Sequence, residues 1–291
     1  MSQATQPFFI VSSGRSGTQM MEKLLGMYPQ VDMHHEYVCT HVQPLAVRYY
    51  MGLVSLDEVC DTLAGLHGAA VFYSERELWG DSSNKLSWLI EGLDRVFPTA
   101  KFIYLVRDGR KVTSSFFHKL GNECYDNRST QILQAYIDDP VNCPTPPPEK
   151  KYWWNLPQPD TALAEAFRSY DQFQRMCFHW GEINRWIQAK LAAINPEQQR
   201  TYKLEELARD RDQLHDLLAF LDLPIDEAIC SMMDCPHNVG IPIDYPLTSQ
   251  QRSQLMNIAG DVMRTFGYDR TEEYRMTYEA TFDVETCGVR I

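Results

Sequence analysis

The chain is 291 residues long, 44% apolar and 23% charged, which is ordinary globular usage and enough length to bury a core without disulfides or a structural metal. Against 27 basic residues stand 39 acidic ones, a formal net charge of −12, which excludes a general nucleic-acid binder and docking on anionic lipid. No stretch approaches the roughly 18 apolar residues of a membrane span, and the opening MSQATQPFFIVSSG lacks the basic n-region of a signal peptide.

Phe8 to Val11 is a short apolar run that reads as a buried strand. The polar segment Ser12-Ser13-Gly14-Arg15-Ser16-Gly17-Thr18 follows, and then Met20, Met21, Leu24, Leu25 and Met27 at helical spacing. The order is strand, tight loop, helix. Val54 to Leu66 predicts an amphipathic helix and Ala69 to Tyr73 a strand. Ser82 or Ser83 predicts the cap of a helix running to Val96, which Phe97-Pro98 ends. Lys101 to Val106 (KFIYLV) is the cleanest strand pattern, and Val112 to Leu120 reads as helix. Residues 121–160 break the alternation as a long loop, with Pro-Thr-Pro-Pro-Pro at 144–148 and Tyr152-Trp153-Trp154. Helix returns over 161–194, a strand over Arg200 to Leu204, a helix over Leu207 to Leu221, and a final helix over Leu247 to Phe266 before Gly267. Strands alternating with helices predict an α/β fold with a central parallel sheet flanked by helices. The expected organisation is a single domain over 1–291, with 121–160 as a substrate-side insertion.

Cysteines stand at 39, 60, 124, 143, 177, 230, 235 and 287, with no C-x-x-C pair. That argues against a zinc ribbon or a redox pair. Scattered thiols in a chain this long read as small core residues in a reducing, cytoplasmic compartment.

Two constellations carry chemistry. In the first, Gly14 and Gly17 let the backbone turn tightly with its N–H groups inward, at a helix N-terminus that favours an anion. Ser16 and Thr18 add hydroxyls, Gln19 follows, and Arg15 suits phosphate or sulfate oxygens. The Walker pattern is absent, because Gly17 stands where its lysine would be. In the second, KFIYLVRDGRKVTSSFF, Arg107 sits at the carboxyl end of a strand, where open α/β sheets bind ligands. Ser115 lies in the helix that follows.

Together the loop and the strand resemble the P-loop-like sulfotransferases that use 3′-phosphoadenylyl sulfate (PAPS). In that family a P-[KR]-S-G-T-T motif holds the 5′-phosphosulfate, and an Arg and a Ser eight residues apart hold the 3′-phosphate. Residues 200–223 and 238–268 resemble the family's later segments, so the resemblance covers most of the chain. Arg15 and L-V-R-D-G-R are closer to the tyrosylprotein-sulfotransferase branch and its bacterial relatives. In that branch a catalytic glutamate follows the motif Arg by about 21 residues, and Glu36 stands there, in His34-His35-Glu36. Departures are visible. Met20 and Met21 occupy the place of an adenine-stacking aromatic. Many relatives carry a lysine where Ser82 stands, and Lys85 is three residues further on. Leu204 replaces a tyrosine, with Tyr202 close by.

The resemblance implies PAPS as co-substrate, 3′-phosphoadenosine 5′-phosphate (PAP) as product, and no required metal. It implies Gly14, Arg15, Ser16, Gly17, Thr18, Gln19, Arg107, Ser115 and Tyr202 at the nucleotide. Arg15 would stabilise charge on the bridging oxygen. Glu36 would take the acceptor's proton, with His35 as second choice. The expected acceptor is a small polar molecule of natural-product type, bearing a hydroxyl or an amine. Residues 121–149 carry Glu123, Asp126, Asp138, Asp139 and Glu149 against Arg128 alone, so a cationic acceptor is the specific expectation. Trp153 and Trp154 would offer ring faces to it, unless they belong to the core. Glu36 and Lys85 complete the expected acceptor site. No nucleic-acid or membrane partner is expected, and the oligomeric state stays open. The alternatives are a non-catalytic nucleotide-binding protein and a P-loop nucleotide kinase.

Overall fold

The computed structural model describes residues 5–159, 161–234 and 244–273. Cys235, Cys287 and residues 238–243 of the expected C-terminal segment lie outside them. Five strands, β1 (Gln6–Val11), β2 (Val31–His35), β3 (Leu78–Ser82), β4 (Lys101–Val106) and β5 (Gln199–Lys203), pair in parallel in the order β2-β3-β1-β4-β5. β1 and β4 lie inside the sheet with both faces covered, which is why FFIV and FIYLV read as unbroken apolar runs.

Helices α1 (Thr18–Leu25), α2 (Cys39–Tyr50), α3 (Leu56–Leu63), α4 (Ala69–Phe72), α5 (Ile90–Val96) and α6 (Gly109–Lys119) fill the connections of the first half. Then come α7 (Asn127–Asp138), α8 (Ala162–Phe167), α9 (Gln172–Leu191), α10 (Leu204–Leu207), α11 (Arg211–Phe220), α12 (Glu227–Cys230) and α13 (Ser249–Thr265). Alternate residues of each strand feed opposite faces. Phe9, Val11, Phe102 and Tyr104 pack under α9 with Phe178 and Trp180. Phe8, Ile10, Ile103 and Leu105 pack on the other face with Met21, Leu24, Leu214 and Leu217. The Phe8 ring abuts Gly80, where an added Cβ would stand 2.1 Å from Cζ.

The α/β class and the parallel sheet agree with the sequence reading, and three local expectations are corrected. Ala69 to Tyr73 is not a strand but the continuation of a helix: a π-helical turn, Ala64–Gly68, runs straight into α4. A short apolar run has no period of its own to separate the two cases, and Phe72 and Tyr73 end up exposed. No helix is capped at Ser82 or Ser83. Ser82 ends β3, and the helix starts at Ile90 after a 3-10 turn, Leu86–Trp88. The segment 121–160 is not all loop. It contains α7, capped by Asp126, whose carboxylate accepts the Ser129 N–H at 3.0 Å, and a 3-10 turn, Lys150–Tyr152. No described helix is long and apolar enough to cross a membrane.

Candidate active site

Because all five strands run the same way, their carboxyl ends share one edge, and the loops leaving that edge build the site. The loop after β1 is held by its own hydroxyls. Ser12 Oγ accepts the Gly14 N–H at 3.1 Å, and Ser16 Oγ donates to the Gly14 carbonyl at 3.1 Å. Ser16 is fully buried, so its hydroxyl shapes the loop from within. The left-handed backbone at Gly14 (φ +80°), Arg15 (+55°) and Gly17 (+88°) turns the chain into α1, which begins at Thr18 and Gln19. A Cβ at Gly17 would stand 2.7 Å from Leu204 Cδ1. Leu204 thus closes the loop from the β5 side. His179, on α9, holds it from below by donating Nε2–H to the Ser13 carbonyl at 3.0 Å. Burial pushes this imidazole down to about 4, so it is neutral.

The two motifs meet. Arg15 donates Nε–H to Ser115 Oγ at 2.9 Å, and Arg107 donates to the Arg15 carbonyl at 2.8 Å. One helical turn beyond Ser115, on the same face of α6, stands Lys119. Burial, and then the Arg15 and Arg107 charges, lower its ammonium from the usual range. Like charges crowded at one strand edge suit an anion.

Glu36 follows β2 directly, in left-handed backbone at φ +56°. Its carboxylate lies between two lysines. Oε1 accepts from Lys85 Nζ at 2.7 Å, and Oε2 accepts from Lys150 Nζ. Burial raises the carboxyl, but the two ammonium groups outweigh it and hold it at about 2 instead of 4.5. Burial likewise lowers the Lys85 ammonium, with Glu36 opposing. Burial opposes a charge on Lys150 as well, yet Glu36 brings it out above its usual range. His35 donates Nδ1–H to the Ser82 carbonyl at 2.8 Å, which leaves Nε2 as its lone pair.

Gly14 to Gln19, Arg107 and Ser115 therefore gather at one edge with Glu36, His35 and Lys85. Three expected site residues are placed otherwise. Tyr202 is buried in the core under α11, and its hydroxyl donates to Asp216 at 2.6 Å. Trp153 is a core residue whose Nε1–H donates to the Pro147 carbonyl at 2.7 Å. Trp154 is also buried, and the cation near its ring is Lys85, with Nζ 5.8 Å from the centroid. Trp153 and Trp154 thus pack inward, while Tyr152 is half-buried and carries Lys151 Nζ 4.8 Å from its ring centroid. Lys150 and His179 were not singled out in the sequence. Nothing in the spacing of Glu149-Lys150-Lys151 points to Glu36, 114 residues away. Gln43 sets that approach by donating Nε2–H to the Lys150 carbonyl at 3.1 Å.

Lys150→Met removes the more exposed of the two cations and should cost about 1 kcal/mol near neutral pH, after discounting for solvent screening. The folded carboxyl is depressed, so its contribution is full above the unfolded value of 4.5 and is lost as pH falls towards about 2. Thermal melts should show the gap between wild type and Lys150→Met shrinking as pH drops through that window. A gap constant with pH would contradict the ion pair.

No protein-family model matches the sequence, and no curated protein matches it. Solved structures do match in fold. The sulfotransferase domain of the Synechococcus PCC 7002 olefin synthase is 16% identical with a TM-score of 0.50, covering 92% of this chain and 97% of that one. Sulfotransferase STF9 from Mycobacterium avium is 14% identical with a TM-score of 0.50, covering 94% of this chain and 79% of that one. The chain has the fold of these sulfotransferases.

Proposed function

We propose that the chain is a PAPS-dependent sulfotransferase that moves a sulfuryl group onto a hydroxyl or amine of a small polar acceptor of natural-product type. The observation that carries this reading is the contact of the two motifs, Arg15 on Ser115 and Arg107 on the Arg15 carbonyl. It makes one anion cradle from segments about a hundred residues apart. PAPS would supply a sulfuryl group on a good leaving group, so the protein's tasks are holding, orienting and charge balance. Arg107, Ser115 and Lys119 suit the 3′-phosphate. Arg15 and the N–H groups entering α1 suit the phosphosulfate and the charge that grows on the bridging oxygen.

Lys85 links the donor to the base. An anionic donor offers its ammonium a second partner. As Lys85 shares its charge, Glu36 regains basicity and can accept the acceptor's proton. A cationic acceptor would meet Glu36 between two lysines and would find Trp153 and Trp154 in the core, so the proposal is confined to a polar hydroxyl or an amine of low basicity that is neutral when bound.

The direct test is incubation with isotope-labelled PAPS and an acceptor panel, read by mass spectrometry for one added SO₃ group. PAP at about 100 times its Kd should stabilise the fold by roughly 2.7 kcal/mol. Arg107→Ala should weaken PAP by about 1.5–3 kcal/mol and adenosine 5′-phosphosulfate, which lacks the 3′-phosphate, by much less. Equal losses on the two ligands would remove Arg107 from the 3′ end.

A further inference from the structure

Beneath the Glu36 turn lies a pair of ionisable side chains that the reaction above does not use. Asp81, near the end of β3, and His67 have no exposed side-chain surface. His67 Nε2 stands 3.9 Å from Asp81 Oδ2. Neither atom, nor His67 Nδ1, has a hydrogen-bond partner among the described residues. The other carboxylate oxygen, Oδ1, accepts the backbone N–H of Tyr37 at 3.3 Å. Tyr37 lies between Glu36 and Val38, whose φ values are +56° and +45°. Non-glycine residues keep such backbone only where the surroundings enforce it. His67 is carried on the π-helical turn Ala64–Gly68, a geometry frequent at functional sites. Its ring meets Tyr37 and Trp79 edge-on, at 5.4 and 5.8 Å between centroids. A buried carboxylate is costly unless charge or several donors meet it, and the imidazole is the group placed to do so.

We propose that Asp81 and His67 form a buried positioning pair that holds the Glu36 turn in register with the donor loop. This rests on the reading of Glu36 as the proton acceptor. Asp81 grips the turn through the Tyr37 N–H. Its neighbour Ser82 ties the same level to the loop: the Ser82 carbonyl accepts the Glu36 N–H at 3.2 Å, and the Ser82 hydroxyl donates to the Thr18 carbonyl at 3.1 Å. His67 faces the carboxylate from the other side, with Nε2 3.9 Å from Oδ2, and so fixes the side chain that grips Tyr37. Neither side chain touches a reacting atom. Their effect falls on the placement of Glu36, not on nucleotide binding.

The test uses Asp81→Leu, His67→Phe and His67→Gln, each assayed for turnover, acceptor KM and PAP affinity, beside Glu36→Gln. In Asp81→Leu and His67→Phe, kcat should fall roughly 10- to 100-fold while KM and PAP affinity stay within about threefold. His67→Gln, which returns a donor to the ring's place, should regain most of that loss. Should Asp81→Leu fail to fold, the two His67 variants decide. Full kcat in His67→Phe overturns the pair, and so does a joint loss of kcat and PAP affinity that His67→Gln does not repair. An inactive Glu36→Gln beside fully active pair variants overturns the pair alone. A fully active Glu36→Gln overturns the base and the pair together.

Discussion

Glu36→Gln should bind PAP as wild type does and lose turnover by roughly 10²- to 10⁴-fold. The substitution keeps the side chain's length and removes its proton affinity. It also turns an amide NH₂ toward one of the two lysines that the carboxylate now holds, so a small loss of thermal stability should accompany the kinetic one. PAP titration and single-turnover assays separate the two effects. Wild-type turnover would release Glu36 from the role. If His35→Ala were then inactive, the base would be His35, whose Nε2 lone pair is free for it because Nδ1 is engaged by Ser82.

Arg15→Ala is the second large effect. The guanidinium joins the Gly14–Gly17 loop to α6; on the proposed reading it also meets the charge that grows on the bridging oxygen, so its loss should lower kcat by about 10²–10³ and weaken PAP binding as well. Arg15→Lys should recover only part, since a lysine keeps the charge but not the planar Nε–H that meets Ser115. The φ of +55° at this position offers a control. Arg15→Gly relieves the backbone and should be no more active than Arg15→Ala. Recovery in the glycine variant, or changes under about threefold in all three, would mean that the side chain does not act on the donor.

What was legible in the sequence follows from where the strands lie. β1 and β4 are interior strands with both faces apolar, so their boundaries could be read almost to the residue. β3 is interior too, yet it reads LWGDS. Its last two side chains serve His67, Tyr37 and His35 rather than the core, and that work erased the apolar signal. β2 is an edge strand ending in two histidines, so neither it nor α2, which contains Pro44, announced itself. The donor loop could be found because its glycines and hydroxyls are contiguous. Lys150 could not, since its meaning lies in a partner on a distant segment. The Trp153-Trp154 pair was visible but ambiguous, and packing decided it.

The strand order has a consequence in time. β1, the earliest in the chain of the five described strands, is central, and both of its neighbours, β3 and β4, come later in the chain. During synthesis the Gly14–Gly17 loop emerges long before the partners that complete it. Ser115 follows Arg15 by 100 residues, and Lys150 follows Glu36 by 114. At translation speeds of about 5–20 residues per second, the interval is on the order of ten seconds. Early in it the nascent chain holds an apolar strand that still lacks β3 and β4, and throughout it a turn that still lacks Ser115. A donor in the surrounding solution therefore cannot template this fold from its start. It can only reward a fold in which β4 and α6 are already in place, and any rescue of slow-folding variants by PAP should begin only once those segments have left the ribosome.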